Sequence, residues 1–140
     1  MNPWTEKKTI IITCPKGIAP WLAEEVIALG FPVLAEGEAA VETEGTLADT
    51  MRLNLHIRTG HRVLYLLSAF EAENPNGLYA GFRKIAWEGL LHESGAHAYL
   101  CVTSTVETPT IKDGRFVNLK AKDAIVDRLA ECCGIRPATG

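Results

Sequence analysis

The order of apolar and polar positions divides the start of the chain into short alternating elements. Thr9 to Thr13 is a β-branched run closed by Cys14-Pro15, which predicts a buried strand. A helix is predicted from Gly17 to Gly30, because Pro20 suits a first helical turn and Gly30 suits a left-handed cap. Apolar residues recur along it at three- and four-residue spacing: Ile18, Leu22, Val26 and Leu29.

Two short extended segments are predicted next, at 31–34 and 39–43. The turn-forming stretch Glu36-Gly37-Glu38 separates them, and Gly45 ends the second. The unit is therefore β-α-β-β, half of a ferredoxin-like fold.

A new helix is predicted to begin at Thr46, where Asp49 three residues later completes a variant of the capping box. Leu47, Met51 and Leu55 form its expected inner stripe. Beyond it the pattern continues to alternate: it predicts a strand at 62–70, a turn at 74–77, a helix at 78–91 and a strand at 97–107. The helix at 78–91 has Leu78, Phe82, Ile85 and Gly89 on one face. A last helix is predicted to be capped by Asn118, to run to Cys132 and to end at Gly134.

Length and composition limit what this chain contains. At 140 residues it can hold one ordinary core or one domain with a small appended unit, and it is too short for a recognition module plus a full Rossmann-type catalytic domain. Its apolar runs fall far short of the ~20 residues of a membrane span, so we expect a cytoplasmic protein without a membrane partner. Four cysteines without a CxxC pair predict neither a disulfide scaffold nor a metal site.

The net charge of −3 hides an asymmetry along the chain. Up to Thr50 there are eight acids and three lysines, whereas the remainder holds eleven bases and nine acids. Residues 50–70 contain three arginines, two histidines and no acid. A polyanion site is therefore expected in the later part, and the charge change near Thr46 predicts domains at 1–45 and 46–140.

Three stretches carry a resemblance to a known family: RLNLHIRTGHRVL (52–64), LYAGFRKIAWEGLL (78–91) and LKAKDAIVDRL (119–129). They resemble the THUMP-containing RNA guanine-N2 methyltransferases, including the bacterial large-subunit ribosomal RNA enzymes. The opening strand, the following helix and the segment 38–45 are similar to that family's N-terminal ferredoxin-like segment.

The resemblance implies an α+β chain in which the ferredoxin-like β-α-β-β unit is followed by an α/β THUMP domain that lacks its last strands. It implies a parent enzyme that uses S-adenosylmethionine to methylate guanine N2 of ribosomal RNA. The family's glycine-rich methyl-donor loop and its Asn/Asp-Pro-Pro-aromatic motif are not found here, and Asn74-Pro75-Asn76-Gly77 is better explained as a turn. We therefore expect no catalytic, cofactor-binding or metal-binding residues, and a catalytic methyltransferase domain elsewhere in the parent polypeptide.

The expected partner is structured RNA, because arginine and lysine side chains supply the phosphate contacts that dominate nucleic-acid affinity. The candidate RNA-binding residues are Arg52, Arg58, Arg62, Arg83, Lys84, Lys120 and Lys122. The alternative is that they are ordinary solvated charges, with Arg58 paired to an acid from a neighbouring element. Lys120 and Lys122 are expected to open the last helix, where a cation is slightly unfavourable and an anion is favoured.

Trp87 lies beside Arg83 and Lys84 on the predicted helix, so it could stack on an unpaired base or pack against the preceding segment. Two other functions remain open. One is a stand-alone protein-interaction or small-ligand-binding domain on a ferredoxin-like scaffold, since that fold hosts many functions. The other keeps the family and changes its target to transfer RNA, or to DNA.

Overall fold

A computed structural model describes residues 2–91, 99–109, 111, 113–134 and 136–139 of the chain. It divides into two compact units, Met1–Leu67 and Ser68–Gly140. Among the described residues, no helix is both long and apolar enough to cross a membrane.

The first unit contains six elements around one antiparallel sheet. In chain order they are β1 (Lys8–Thr13), α1 (Ala19–Ala28), β2 (Ala35–Glu36), β3 (Ala40–Gly45), α2 (Leu47–His56) and β4 (Arg62–Tyr65). The strand order is β2-β3-β1-β4, and all the pairs are antiparallel. This β-α-β-β-α-β order is that of a complete ferredoxin-like fold.

The core of this unit lies on one face of the sheet. Because side chains alternate along a strand, Ile10 and Ile12 of β1 point to the same side, and both are fully buried. Ile12 pairs with Val41 on β3 and with Val63 on β4. Helix α1 covers these strands with Leu22 and Val26, and α2 contributes Leu53.

The structure corrects the prediction that the ferredoxin-like fold is only half present. Helix α2 and strand β4 complete it, because β4 pairs with the central strand β1 in four-residue register from Thr13↔Arg62 to Ile10↔Tyr65. The chain therefore divides into its two compact units after Leu67, and not after residue 45, where the domain boundary was predicted. The change in charge near Thr46 coincides with the start of α2 and marks no break in packing.

The cap of α2 is confirmed, and its predicted inner stripe is wrong. Thr46 accepts from the Asp49 backbone N–H while Asp49 accepts from that of Thr46, which is the capping box. Met51 and Leu55 are 53% and 81% exposed, whereas Thr50 and Leu53 face inward. The Thr50 hydroxyl donates to the Leu47 carbonyl, so a polar residue is tolerated at that buried position.

The second strand also differs from its prediction. Extended structure was expected at 31–34, but β2 occupies Ala35–Glu36, part of which was expected to be a turn. The Phe31 N–H is still bonded to the Val26 carbonyl at the end of α1, and Pro32 has no N–H to give to a ladder. Pairing with β3 therefore begins only at Leu34, whose N–H donates to the Glu42 carbonyl.

Glu25 of α1 fastens the loop between α2 and β4. Its carboxylate accepts from the backbone N–H groups of Arg58 and Thr59 at 2.8 and 2.9 Å and from the Thr59 hydroxyl. Burial alone would raise the pKa of Glu25, but these hydrogen bonds and the nearby Arg58 charge outweigh burial and hold the pKa below its ordinary value of 4.5.

Since this carboxyl has a lower pKa folded than unfolded, it stabilises the fold above pH 4.5, and that stability is lost as pH falls through the folded pKa. We expect Glu25→Gln to reduce the free energy of unfolding by about 1–2 kcal/mol near neutral pH, with the deficit shrinking in acid. Urea unfolding from pH 7 to pH 3 measures this. Glu24→Gln is the control, because Glu24 is exposed. A Glu25→Gln deficit that stays constant with pH would contradict the assignment.

The second unit combines helices with a small parallel sheet. Its elements are α3 (Pro75–Arg83), a 3₁₀ turn (Trp87–Gly89), β5 (Tyr99–Leu100), α4 (Gly114–Cys133) and β6 (Ala138–Thr139). Strands β5 and β6 pair in parallel, with Tyr99 opposite Ala138 and Leu100 opposite Thr139. Helix α3 packs against α4. Each unit contains both helices and strands, as expected for the α+β class.

Several boundaries in the later part differ from their predictions. Strand β4 ends at Tyr65 rather than Phe70, and the predicted strand 97–107 is regular only at Tyr99–Leu100, with residues 97 and 98 outside the described part. Asn74 is the N-cap of α3 and accepts from the Gly77 N–H, so the expected turn is the start of a helix. The predicted helix 78–91 is thus α3, which ends at Arg83, followed by a separate 3₁₀ turn at Trp87–Gly89.

Candidate nucleic-acid interface

Helix α4 is the longest element among the residues that the structure describes, and it begins earlier than predicted. Asp113 is its N-cap and accepts from the Arg115 backbone N–H at 2.9 Å. At the other end, Gly134 adopts φ +67° and donates to the Ala130 and Leu129 carbonyls, as predicted for a glycine cap. Asn118, the predicted cap, lies inside the helix, where its side chain accepts from the Ser104 hydroxyl.

One face of α4 is buried, and a second face is fixed by polar contacts. The buried face consists of Ala121, Ala124, Ile125 and Leu129. On the second face, Tyr79 donates to Asp127 and Arg83 pairs with Glu131. These contacts join α3 to α4 and give the second unit a defined helix pair.

Arg128 and Glu88 form a two-pronged ion pair beside these contacts. The Nε and Nη2 atoms of Arg128 each lie 2.9 Å from a carboxylate oxygen of Glu88, and its Nη1 donates to the Arg83 carbonyl. This hydrogen bonding lowers the pKa of Glu88 and raises the pKa of Arg128. The side chains of Arg83 on α3 and Arg128 on α4 are thus both used in contacts within the second unit.

The third face of α4 borders a concave surface with two cations. Arg115, Asn118, Leu119 and Lys122 recur at helical spacing and line a cavity of about 220 Å³ together with Leu100 and Val102. We call it the Arg115–Lys122 cavity. No acid is among these lining residues, and its apolar side chains lie beside the two basic groups.

A second cavity of about 350 Å³ adjoins the first through Lys122. Its charged lining comes from Lys122, Asp123, Asp127 and Arg136, so it has a mixed character. Asp127 also accepts a hydrogen bond from Tyr79. Arg115 also pairs with the Asp113 carboxylate beside the cavity, its Nε lying 3.4 Å from an Asp113 oxygen, whereas no acid lines the Arg115–Lys122 cavity itself. Of these two neighbouring cavities it is therefore the better site for an anion.

The structure places three of the seven candidate residues in the first unit. The Arg52 guanidinium donates to the Leu29 carbonyl at 2.6 Å and lies 5.1 Å from the centre of the Phe31 ring. It therefore closes the C-terminal end of α1. Arg58 follows α2, its backbone held by Glu25, and Arg62 begins β4 with an exposed side chain. Glu25 is thus an acid of a neighbouring element beside Arg58, but it bonds the backbone N–H of Arg58 and leaves its side chain exposed.

The other four candidates belong to the second unit and lie on different faces. Arg83 is paired with Glu131, and Lys84 is the exposed C-cap residue of α3. The Lys120 ammonium lies 5.8 Å from the centre of the Phe116 ring, whereas Lys122 lines both cavities. Of the four, only Lys122 lies in the Arg115–Lys122 cavity.

Lys120 and Lys122 do not open the last helix, so that prediction is wrong: α4 begins at Gly114, and both lysines lie beyond its first turn. Lys122 remains a candidate for RNA contact because it lines the same cavity as Arg115 and Leu119. Sequence reasoning missed Arg115, Asn118 and Arg136 as lining residues. Arg115 could have been found from Asp113-Gly114, since an aspartate cap there puts Arg115 and Lys122 two turns apart on one face.

Trp87 contributes to packing within its own segment. Its indole N–H donates to the Phe82 carbonyl at 2.7 Å, and the residue is half-buried in the 3₁₀ turn. The side-chain oxygen of Asn74 likewise has a structural partner, because it accepts from the Gly77 N–H as the N-cap of α3.

The complete antiparallel sheet places the first unit among the ferredoxin-like domains. Residues 9–64 match the family of the RlmL ferredoxin-like domain. Across almost the whole chain, it is 38% identical to the ribosomal RNA large subunit methyltransferase K/L of Ectopseudomonas mendocina and 36% identical to that of Syntrophotalea carbinolica. Residues 9–64 therefore match this family's ferredoxin-like domain, and the chain as a whole is similar to the N-terminal part of these methyltransferases.

The matched part is a small share of these relatives. The alignments cover 96% and 90% of this chain but only 18% and 17% of the two relatives. Among solved structures, SMU.472 complexed with SAH matches at 20% identity with a TM-score of 0.80, over 95% of this chain and 34% of that chain. A predicted N6-adenine-specific DNA methylase from Listeria monocytogenes matches at 25% identity and a TM-score of 0.69, over 90% and 32% of the two chains.

Proposed function

We propose that this chain is the RNA-recognition part of a methyltransferase that acts on ribosomal RNA. In this proposal Ser68–Gly140 belongs to a THUMP domain, and the ferredoxin-like unit precedes it. The similarity to ribosomal RNA large subunit methyltransferases supports the RNA target and a cytoplasmic location.

The observation that carries the proposal is the Arg115–Lys122 cavity. Two cations suit phosphate oxygens, and the exposed leucine between them, Leu119, offers an apolar surface to a sugar or base edge. Arg115 is exposed and Lys122 is half-buried, so both can be reached by a ligand from solvent. Phosphate contacts of this kind position an RNA and depend strongly on salt.

Catalysis belongs, in this proposal, to another part of the parent polypeptide. There S-adenosylmethionine would supply the methyl group for guanine N2, and the residues of this chain would bind and orient the RNA. The base to be methylated must leave its helix to be reached, so a firm hold on the surrounding backbone assists the reaction.

Fluorescence anisotropy with a hairpin RNA and a matched DNA duplex across a salt series tests the proposal. We expect RNA to bind more tightly than DNA and binding to weaken as salt rises. For Arg115→Ala/Lys122→Ala we expect roughly tenfold weaker binding, or about 1.4 kcal/mol, from the loss of two charge-assisted contacts. The slope of log affinity against log salt should also fall by about 2.

Lys7→Ala/Lys16→Ala is the matched control, because it removes two exposed positive charges of the first unit. It should leave RNA affinity nearly unchanged. If neither nucleic acid binds at low salt, the chain is an interaction or small-ligand module instead. Equal losses in both double variants would show that total charge, and not the Arg115–Lys122 cavity, determines binding.

A further inference from the structure

Two adjacent thiols end helix α4, and the proposed RNA contacts use neither of them. Cys132 is exposed and Cys133 is half-buried, and their sulfur atoms lie 3.2 Å apart. We propose that Cys132 and Cys133 form a dithiol site that binds trivalent arsenicals, with one arsenic atom bonded to both sulfurs.

The backbone of α4 favours such a bridge over a direct disulfide. Neighbouring Cα atoms are about 3.8 Å apart, whereas the Cα atoms of a relaxed disulfide are usually about 4.4–6.8 Å apart. A direct sulfur–sulfur bond between residues 132 and 133 would therefore distort the last helical turn. An inserted arsenic atom lengthens the bridge and lets the two sulfurs stay near their present separation.

The number of available ligands selects the chemical class. Within the part of the chain that the structure describes, no group of three or more His, Cys, Asp and Glu side chains converges as a metal site. A structural zinc ion usually takes four protein ligands, so two thiols do not suffice. Trivalent arsenic is thiophilic and carries its third substituent with it, so two protein sulfurs complete its coordination.

With phenylarsine oxide as the probe, the reaction balances without an oxidant. Both thiols lose their hydrogen atoms, two arsenic–sulfur bonds form, and the arsenic-bound oxygen leaves as water. Arsenic stays trivalent throughout. Addition of excess dimercaptopropanol should reverse the reaction by offering a competing dithiol.

Intact-mass spectrometry of the chain titrated with phenylarsine oxide tests the site. We expect one phenylarsenic group per chain, accompanied by the loss of two hydrogen atoms, and removal by dimercaptopropanol. Cys132→Ser and Cys133→Ser should each weaken binding by roughly 100-fold or more, because the second bond of a chelate forms at high effective concentration. Far-UV circular dichroism checks that these variants keep their helices.

Cys101→Ser is the matched control, since Cys101 is an exposed cysteine outside α4. It should bind phenylarsine oxide as tightly as the unaltered chain. The proposal is overturned if the unaltered chain takes up no phenylarsenic group, or if Cys132→Ser and Cys133→Ser bind as tightly as it does. Loss of binding in Cys101→Ser would equally overturn it, by placing the arsenic on another pair.

Discussion

Replacing Ile12 by alanine is expected to destabilise the ferredoxin-like unit by about 2–5 kcal/mol. Ile12 is fully buried in the centre of β1 and lies between Val41 and Val63 of the two flanking strands. Truncation leaves a cavity that close packing on both sides cannot fill. Small domains are stable by only about 5–15 kcal/mol, so the loss is a large share of the total.

Urea unfolding of the chain measures this effect, with Ile11→Ala as the matched control. Ile11 is the adjacent residue on the same strand, but it faces the opposite side of the sheet and is partly exposed. Its truncation should cost about 1 kcal/mol or less. Similar losses for the two variants would contradict the assignment of the core to one face of the sheet.

Leu129→Ala should destabilise the second unit by a comparable amount, about 2–5 kcal/mol. The buried face of α4 has alanine at 121 and 124, so Ile125 and Leu129 are its only large apolar side chains. Leu129 is fully buried, so its truncation removes apolar contacts and leaves a cavity. The polar contacts from α4 to α3 lie near Leu129 on the same helix, so they should weaken when Leu129 is truncated.

Hydrogen exchange of the amides of α4 measures this loss locally. Leu119→Ala is the control, because Leu119 lies on the same helix and is 51% exposed. It should leave exchange in α4 nearly unchanged. Faster exchange in Leu119→Ala than in Leu129→Ala would mean that the buried face of α4 has been assigned incorrectly.

The sequence predicted local structure well where one residue type decides the conformation. The β-branched run at Thr9–Thr13, the capping box at Thr46 and the glycine cap at Gly134 are all confirmed. It failed where tertiary pairing decides. Nothing local in α2 shows that Met51 faces solvent and Thr50 faces inward, because that follows from the strands beneath the helix.

The candidate site was harder to predict than the fold. Positive charge alone selected Arg52 and Arg83, yet the structure shows the first closing α1 and the second paired with Glu131. The helix end that favoured Lys122 lies elsewhere, at Gly114, and Lys122 remains a candidate because Arg115 and Leu119 line the same cavity. A cavity depends on which faces meet, and that information lies in packing rather than in a short motif.

An NMR titration of the isotope-labelled chain with a hairpin RNA tests the central claim most directly, because backbone amide shifts report where the RNA lies. RNA contact at the third face of α4 predicts shift changes concentrated at Arg115, Asn118 and Lys122, which disappear at high salt. Changes confined to Met1–Leu67, or none at low salt, would contradict the claim that this helix face recognises RNA.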